Sequence, residues 1–231
     1  LPIGTSWWEL IEARAAATPD APFLLDERGR VVSFDRFRML AEEVAAGLRA
    51  TGVERDHVGS WQLPSTIEAA VLMAALCRLG VRQNPIIPIL RRAEVSLITR
   101  QVSSRWLFVP GTYRGFEFVE MANAAVDPDA CSVVDITTWA GDAELSLPRA
   151  DPTTLPPATD PADATRWYYF SSGTTATPKG AKHTDASVMA ASNAQVAYAG
   201  LDPTDMIAVP FPMTHIGGIM LLTTYARIGA R

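Results

Sequence analysis

Through the first 136 residues of this chain, short apolar segments alternate with longer stretches of helical periodicity, and that alternation constrains the fold more than any other feature. Val58 to Leu63, Val81 to Ile87, Trp106 to Val109 and Val133 to Ile136 have the length and β-branched content of buried strands. Apolar residues recur at helical spacing from Trp7 to Ala17, where Thr18-Pro19 breaks the pattern. Ser33-Phe34-Asp35 opens a second helix with Phe37, Leu40, Val44, Ala45 and Leu48 on one face, and Gly52 ends it. After Pro64-Ser65 comes a third helix, alanine-rich, carrying Ile67, Ala70, Val71, Ala74 and Ala75 and closed by Gly80. Its broad apolar face predicts deep burial. A fourth starts at Ala93-Glu94 and runs to about Ser103. Strand alternating with helix implies βαβ units: an α/β chain with mostly parallel sheets flanked by helices.

A chain of 231 residues holds one large domain or two small ones. With 48% hydrophobic and 19% charged residues it can bury a sizeable core as a soluble globular protein. Cys77 and Cys131 lie far apart, without metal-ligand spacing, and Cys77 falls inside an apolar helical run. A reduced, cytoplasmic compartment is expected. The formal net charge is −5 and Arg91-Arg92 is the longest basic run, too little for a nucleic-acid partner. The longest apolar run, Ala69 to Cys77, falls far short of the ~20 residues that span a bilayer, so no membrane span is expected. Leu1-Pro2-Ile3-Gly4 has no signal-like character and no methionine, so the chain is expected to begin inside a longer gene product.

From Leu147 to Ala164 the character changes. Pro148, Pro152, Pro156, Pro157 and Pro161 forbid a regular helix or central strand, so this stretch reads as a surface connection. The expected organisation is a first α/β subdomain over 1–146, a proline-rich connection over 147–165, and the start of a second α/β subdomain over 166–231. The last part reads as an aromatic strand, Trp167 to Phe170, a loop from Ser171 to Gly180, and a helix capped by Asp185 and running through Val196. A strand, Met206 to Pro210, a turn through Gly218, and a helix from Ile219 to about Arg227 follow.

The loop after the aromatic strand carries the chemistry. Ser171, Ser172, Gly173, Thr174 and Thr175 supply hydroxyls and accessible backbone N–H groups, which wrap phosphate oxygens. Lys179 adds a mobile positive charge and Pro178 stiffens the approach to it. The order is not that of a P-loop, which requires Gly-Lys-Ser/Thr; here Lys179 is followed by Gly180.

The ordered string Ser171-Ser172-Gly173-Thr174-Thr175-Ala176-Thr177-Pro178-Lys179-Gly180 resembles the phosphate-binding motif of the adenylate-forming superfamily, with Ala176 where that family usually has glycine. That superfamily holds acyl-CoA synthetases, nonribosomal peptide adenylation domains and firefly-type luciferases. A second segment, Pro210-Phe211-Pro212-Met213-Thr214-His215-Ile216-Gly217-Gly218, resembles the family's next core motif. Val58 to Ser65, Leu79-Gly80-Val81, Pro85 to Pro88 and Ala93 to Ile98 are similar to its earlier strands and helices, so the likeness covers almost the whole chain. The wording around Ile87 to Arg91 leans towards bacterial fatty or cyclic acid CoA ligases.

The resemblance implies the incomplete N-terminal domain of an acyl-CoA ligase that uses ATP, Mg2+, coenzyme A and a carboxylic acid. By that analogy Ser171, Ser172, Gly173, Thr174, Thr175 and Lys179 hold the ATP phosphates, and His215 with Gly217 borders the acyl pocket. The family's magnesium-binding glutamate, ribose-binding aspartate, hinge arginine and C-terminal lysine have no counterpart here, so no complete catalytic set and no metal ligand is assigned. The chain alone is therefore expected to be inactive. A sheet cut short would leave an open edge, so self-association into homo-oligomers is expected too. Two alternatives stand beside this reading: an amino-acid or fatty acyl adenylation domain serving a carrier protein, and a non-catalytic binding module. Which acid is activated is not written in these residues.

Overall fold

The computed structural model describes residues 5–136, 147–159, 161–171, 178–206 and 208–230. Helix α1 (Trp7–Ala17) is capped by Ser6, whose side chain accepts from the Glu9 backbone N–H while Glu9 returns the bond. A hairpin of β1 (Pro22–Leu25) and β2 (Val31–Ser33) leads into α2 (Phe34–Ala50). Then β3 (Val58–Trp61), α3 (Ile67–Arg78), β4 (Arg82–Pro85), α4 (Arg92–Gln101) and β5 (Trp106–Val109) follow as successive βαβ units. A small ribbon of β6 (Thr112–Tyr113) and β7 (Phe116–Glu117) precedes α5 (Phe118–Ala125) and β8 (Ser132–Asp135). The chain continues through β9 (Thr165–Ser171), β10 (Lys179–Thr184), α6 (Asp185–Ala199) and α7 (Ile216–Ile228).

Six of these strands form one sheet in the order β10-β9-β4-β3-β5-β8. β3, β4, β5, β8 and β9 run parallel, and only β10 is antiparallel to its neighbour. The expected α/β class with a mostly parallel sheet is therefore observed. Side chains of successive residues leave a strand on opposite faces. In β5, Phe108 joins the core shared with α1, α2, α3 and α7, while Leu107 and Val109 join a second core with α4 and α5. Helix α3 is buried over almost its whole surface, as its alanine-rich pattern predicts.

The proline-rich stretch lies on the outside of the helices. The Ala150 N–H donates to the Glu43 carbonyl of α2, and the Arg78 guanidinium of α3 donates to the Pro156 carbonyl. Strands β9 and β10, which come after it, extend the sheet begun by β3 and β4. Helix α1 packs against α7, where Arg14, itself buried, donates from Nε to the Ala226 carbonyl at 2.8 Å and from Nη2 to the Arg227 carbonyl. These are carbonyls of the last turn of α7, which a helix leaves without internal partners. Among the described residues no helix is long and apolar enough to cross a membrane.

Candidate functional site: the β9–β10 hairpin and the start of α7

The sequence Thr165-Arg166-Trp167-Tyr168-Tyr169-Phe170-Ser171 alternates as a strand covered on both faces. Trp167 and Tyr169 point into the larger core, and Phe170 packs on the smaller one. β9 meets β4 through one register pair, Gln83 with Trp167, and carries β10 on its other edge. The β9–β10 register sets Lys179 opposite Ser171 and Gly180 opposite Phe170. Both ends of the 172–178 connection are thereby pinned by the antiparallel ladder, with Ser171 and Lys179 exposed at its mouth.

This corrects one expectation. Ser171 and Lys179-Gly180 belong to strands, not to a loop, because backbone pairing continues up to both of them. Ser172, Gly173, Thr174 and Thr175 lie outside the described residues. Lys179 forms no ion pair with another described residue and is exposed.

At the opposite end of the hairpin sits Asp185. The expected helix cap is instead Thr184, whose side chain accepts from the Ser187 N–H, and α6 runs on to Ala199, where Gly200 ends it. Asp185 turns inward and is 1% exposed. Its Oδ1 accepts from the Trp167 indole Nε1 at 2.8 Å and its Oδ2 from the Trp7 backbone N–H at 3.0 Å. The Arg166 guanidinium Nε lies 4.0 Å from Oδ2. Burial raises the carboxyl pKa above its ordinary value, opposed by the Arg166 charge and then by the two hydrogen bonds. Sequence reasoning missed this role, since an Asp at a helix start reads as a cap.

The second motif forms a turn leading into α7. His215 is the N-cap residue, its Nδ1 accepting from the Gly217 N–H at 3.1 Å. Its ring stacks on Phe211 with centroids 6.0 Å apart, and both rings are exposed. Gly218 lies so close beneath the Pro212 carbonyl that no side chain would fit there. The Met213 N–H donates to Ser65 Oγ at 3.0 Å, which ties the turn to the residues before α3. The helix starts at Ile216, three residues before the expected Ile219, because the histidine cap supplies the missing acceptor for its first turn. The expected strand over Met206 to Pro210 is not formed by described residues 206 and 208–210.

Beside this turn a cleft of about 620 Å³ opens between the β1–β2 hairpin, the start of α3 and α7, lined by Phe23, Ile67, Met213, Leu222 and Tyr225 with Arg30 and Glu68 at one side. Neither His215 nor Gly217 lines it. Among the described residues no group of three or more His, Cys, Asp or Glu side chains is placed to hold a metal ion.

A family model described as AMP-binding enzyme matches residues 11–231. The medium-chain fatty-acid–CoA ligase of Escherichia coli (strain K12) is 27% identical over 224 residues, covering 94% of this chain and 40% of the relative. The inhibitor-bound N-terminal domain of FACL13 from Mycobacterium tuberculosis superposes with a TM-score of 0.82 at 22% identity, over 97% of this chain and 56% of that one. The o-succinylbenzoate coenzyme A synthetase of Bacillus subtilis, in complex with ATP and magnesium ion, gives a TM-score of 0.80 at 21% identity, over 96% of this chain and 43% of that one. The chain spans about 40% of the length of the curated relatives it matches.

Proposed function

The chain belongs to the AMP-binding enzyme family, and on that premise we propose that it forms the first part of an ATP-dependent acyl-CoA ligase. In the proposed reaction a substrate carboxylate attacks the α-phosphate of ATP, forming acyl-adenylate and releasing pyrophosphate. The coenzyme A thiolate then attacks the acyl carbon and expels AMP. Negative charge grows on the pyrophosphate as it leaves, so donors fixed at that position lower the barrier.

The observation that supports this reading is the β9–β10 register, in which residue Lys179 pairs with Ser171 at the two ends of the hydroxyl- and glycine-rich segment. Donors and a positive charge held near one phosphate chain lower the barrier in proportion to how well they are positioned. In this proposal Ser171, Ser172, Gly173, Thr174, Thr175 and Lys179 hold the β- and γ-phosphates, and His215 and Gly217 border the acyl group. Mg2+ travels with the ATP phosphates, and no described residue is assigned to it. The fatty-acid ligase likeness supports a carboxylic acid and coenzyme A as substrates.

The test is pyrophosphate release by the full-length protein that carries this chain, given ATP, Mg2+ and a panel of fatty, aromatic and cyclic acids. Acid-dependent release, followed by AMP release and thioester formation on adding coenzyme A, is the expected result. Release without thioester formation would move the acceptor to a carrier protein. No release with any acid would remove the ligase reading.

A further inference from the structure

Of the polar clusters that described residues form outside the hairpin mouth and the α7 cap, three stand out. Arg30 is clamped between Asp26 and Glu68 beside the cleft at the start of α3, and Asn84 of β4, Ser60 of β3 and Ser104 before β5 form a buried chain. The third is the buried group around Asp185, and it alone touches the proposed nucleotide site through the backbone that forms it.

We propose that Asp185 is a positioning residue for the phosphate-binding hairpin. This rests on the ligase reading given above. β9 meets β4 through one register pair, Gln83 with Trp167, and the Arg166 guanidinium donates to the Val81 carbonyl beside it. Asp185 adds a constraint that reaches both strands of the hairpin. It directly follows β10, the strand that begins at Lys179, and its Oδ1 holds the indole of Trp167 on β9. Both strands are gripped at the end away from Ser171 and Lys179, and Oδ2 fastens that grip to the backbone of Trp7 at the start of α1. Trp7 in turn donates its indole Nε1 to Thr223 Oγ1 of α7 at 3.0 Å. The carboxylate thus links the proposed phosphate site to the helix capped by His215.

A buried carboxyl group is costly, and an apolar residue would pack this space more cheaply. Its two oxygens accept from two donors that face it from different elements, and an amide cannot accept both bonds in the same way because one of its atoms is itself a donor. Asp185→Asn therefore keeps the shape and breaks one arm of the grip.

The experiment compares full-length wild type with Asp185→Asn, measuring melting temperature, kcat, and KM for ATP and for the acid separately. The expected result is a folded variant whose KM for ATP rises about tenfold, equivalent to ~1.4 kcal/mol, with the KM for the acid changing much less. A role confined to stability would lower the melting temperature and leave both KM values alone. If Asp185→Asn does not fold, Trp167→Phe removes a single donor and keeps the carboxyl group. It should raise the KM for ATP by roughly threefold, the effect of weakening one hydrogen bond. A folded variant of either kind with wild-type KM for ATP overturns the proposal while the ligase reading stands. A wild-type protein that releases no pyrophosphate with any acid overturns both.

Discussion

The ring of Phe170 lies across the backbone of its cross-strand partner Gly180, so closely that a β-carbon at position 180 would meet the ring Cζ at 2.8 Å. The ring edge is the far end of a half-buried side chain, so it can swing away at moderate cost. Gly180→Ala should destabilise the chain by about 1 kcal/mol, a fall in melting temperature of ~2–4 °C. In a Phe170→Ala background the same substitution should cost almost nothing, because the obstacle is gone. Equal costs in both backgrounds would show that the ring is not what excludes a side chain there.

Lys179→Ala in the full-length protein should raise the KM for ATP, by an amount equivalent to about 1.5–3 kcal/mol for one charged phosphate contact. The KM values for acid and coenzyme A should move far less. Steady-state kinetics with each substrate varied in turn would show this, and an unchanged ATP dependence would take Lys179 out of the site.

Arg14→Met keeps most of the apolar stem and deletes the donors that satisfy the Ala226 and Arg227 carbonyls. The loss should be about 2 kcal/mol, since these are charge-assisted bonds made by a buried group. Urea unfolding of the two proteins would measure it, and a midpoint unchanged from wild type would refute the capping role.

Both cysteines should resist thiol reagents in the folded chain. Burial pushes the Cys131 thiol up to about 11 and the fully buried Cys77 thiol well above its ordinary value. With a chromogenic disulfide at pH 8, neither should react until denaturant is added. Rapid labelling of one thiol in native buffer would show that its segment opens.

Glu9 provides a pH test. Hydrogen bonds from the side chain and then the backbone of Thr5 lower its carboxyl below the ordinary 4.5, with burial opposing them. A carboxyl depressed in the folded state contributes stability above its unfolded pKa and loses it as pH falls through the folded value. The stability difference between wild type and Glu9→Gln should thus be present at neutral pH and close as the pH falls below that of an ordinary carboxylate. A gap that does not change on acidification would mean that the charged form of Glu9 is not what the cap needs.

The helices and the central strands were legible because their periodicities are strong. The pattern predicts α1 with its observed ends, and Trp106 to Val109 is β5 residue for residue. β10 was not legible: Lys-Gly-Ala-Lys-His-Thr has no apolar alternation, because an edge strand facing solvent needs none. The β1–β2 hairpin and α5 escaped notice because their short apolar stretches fit several local structures equally well. At the site, the string from Ser171 to Gly180 pointed to phosphate chemistry, but the register that sets Lys179 against Ser171 is a property of the pairing. Asp185 was visible as a helix start and not as a buried anchor, since its donors come from Trp7 and Trp167, remote in sequence.

Trp7 and Arg14 find their partners at Asp185, Thr223 and Ala226, so α1 is held by elements that lie far along the chain from it. At the usual ~5–20 residues per second of translation, α7 follows α1 out of the ribosome by roughly ten to forty seconds. Through that interval the Trp7 backbone N–H and indole N–H lack the partners they have in the folded chain, Asp185 and Thr223. Slower translation lengthens the interval through which these donors wait. The contacts that join α1 to α7 are sequence-distant, the kind that form slowly.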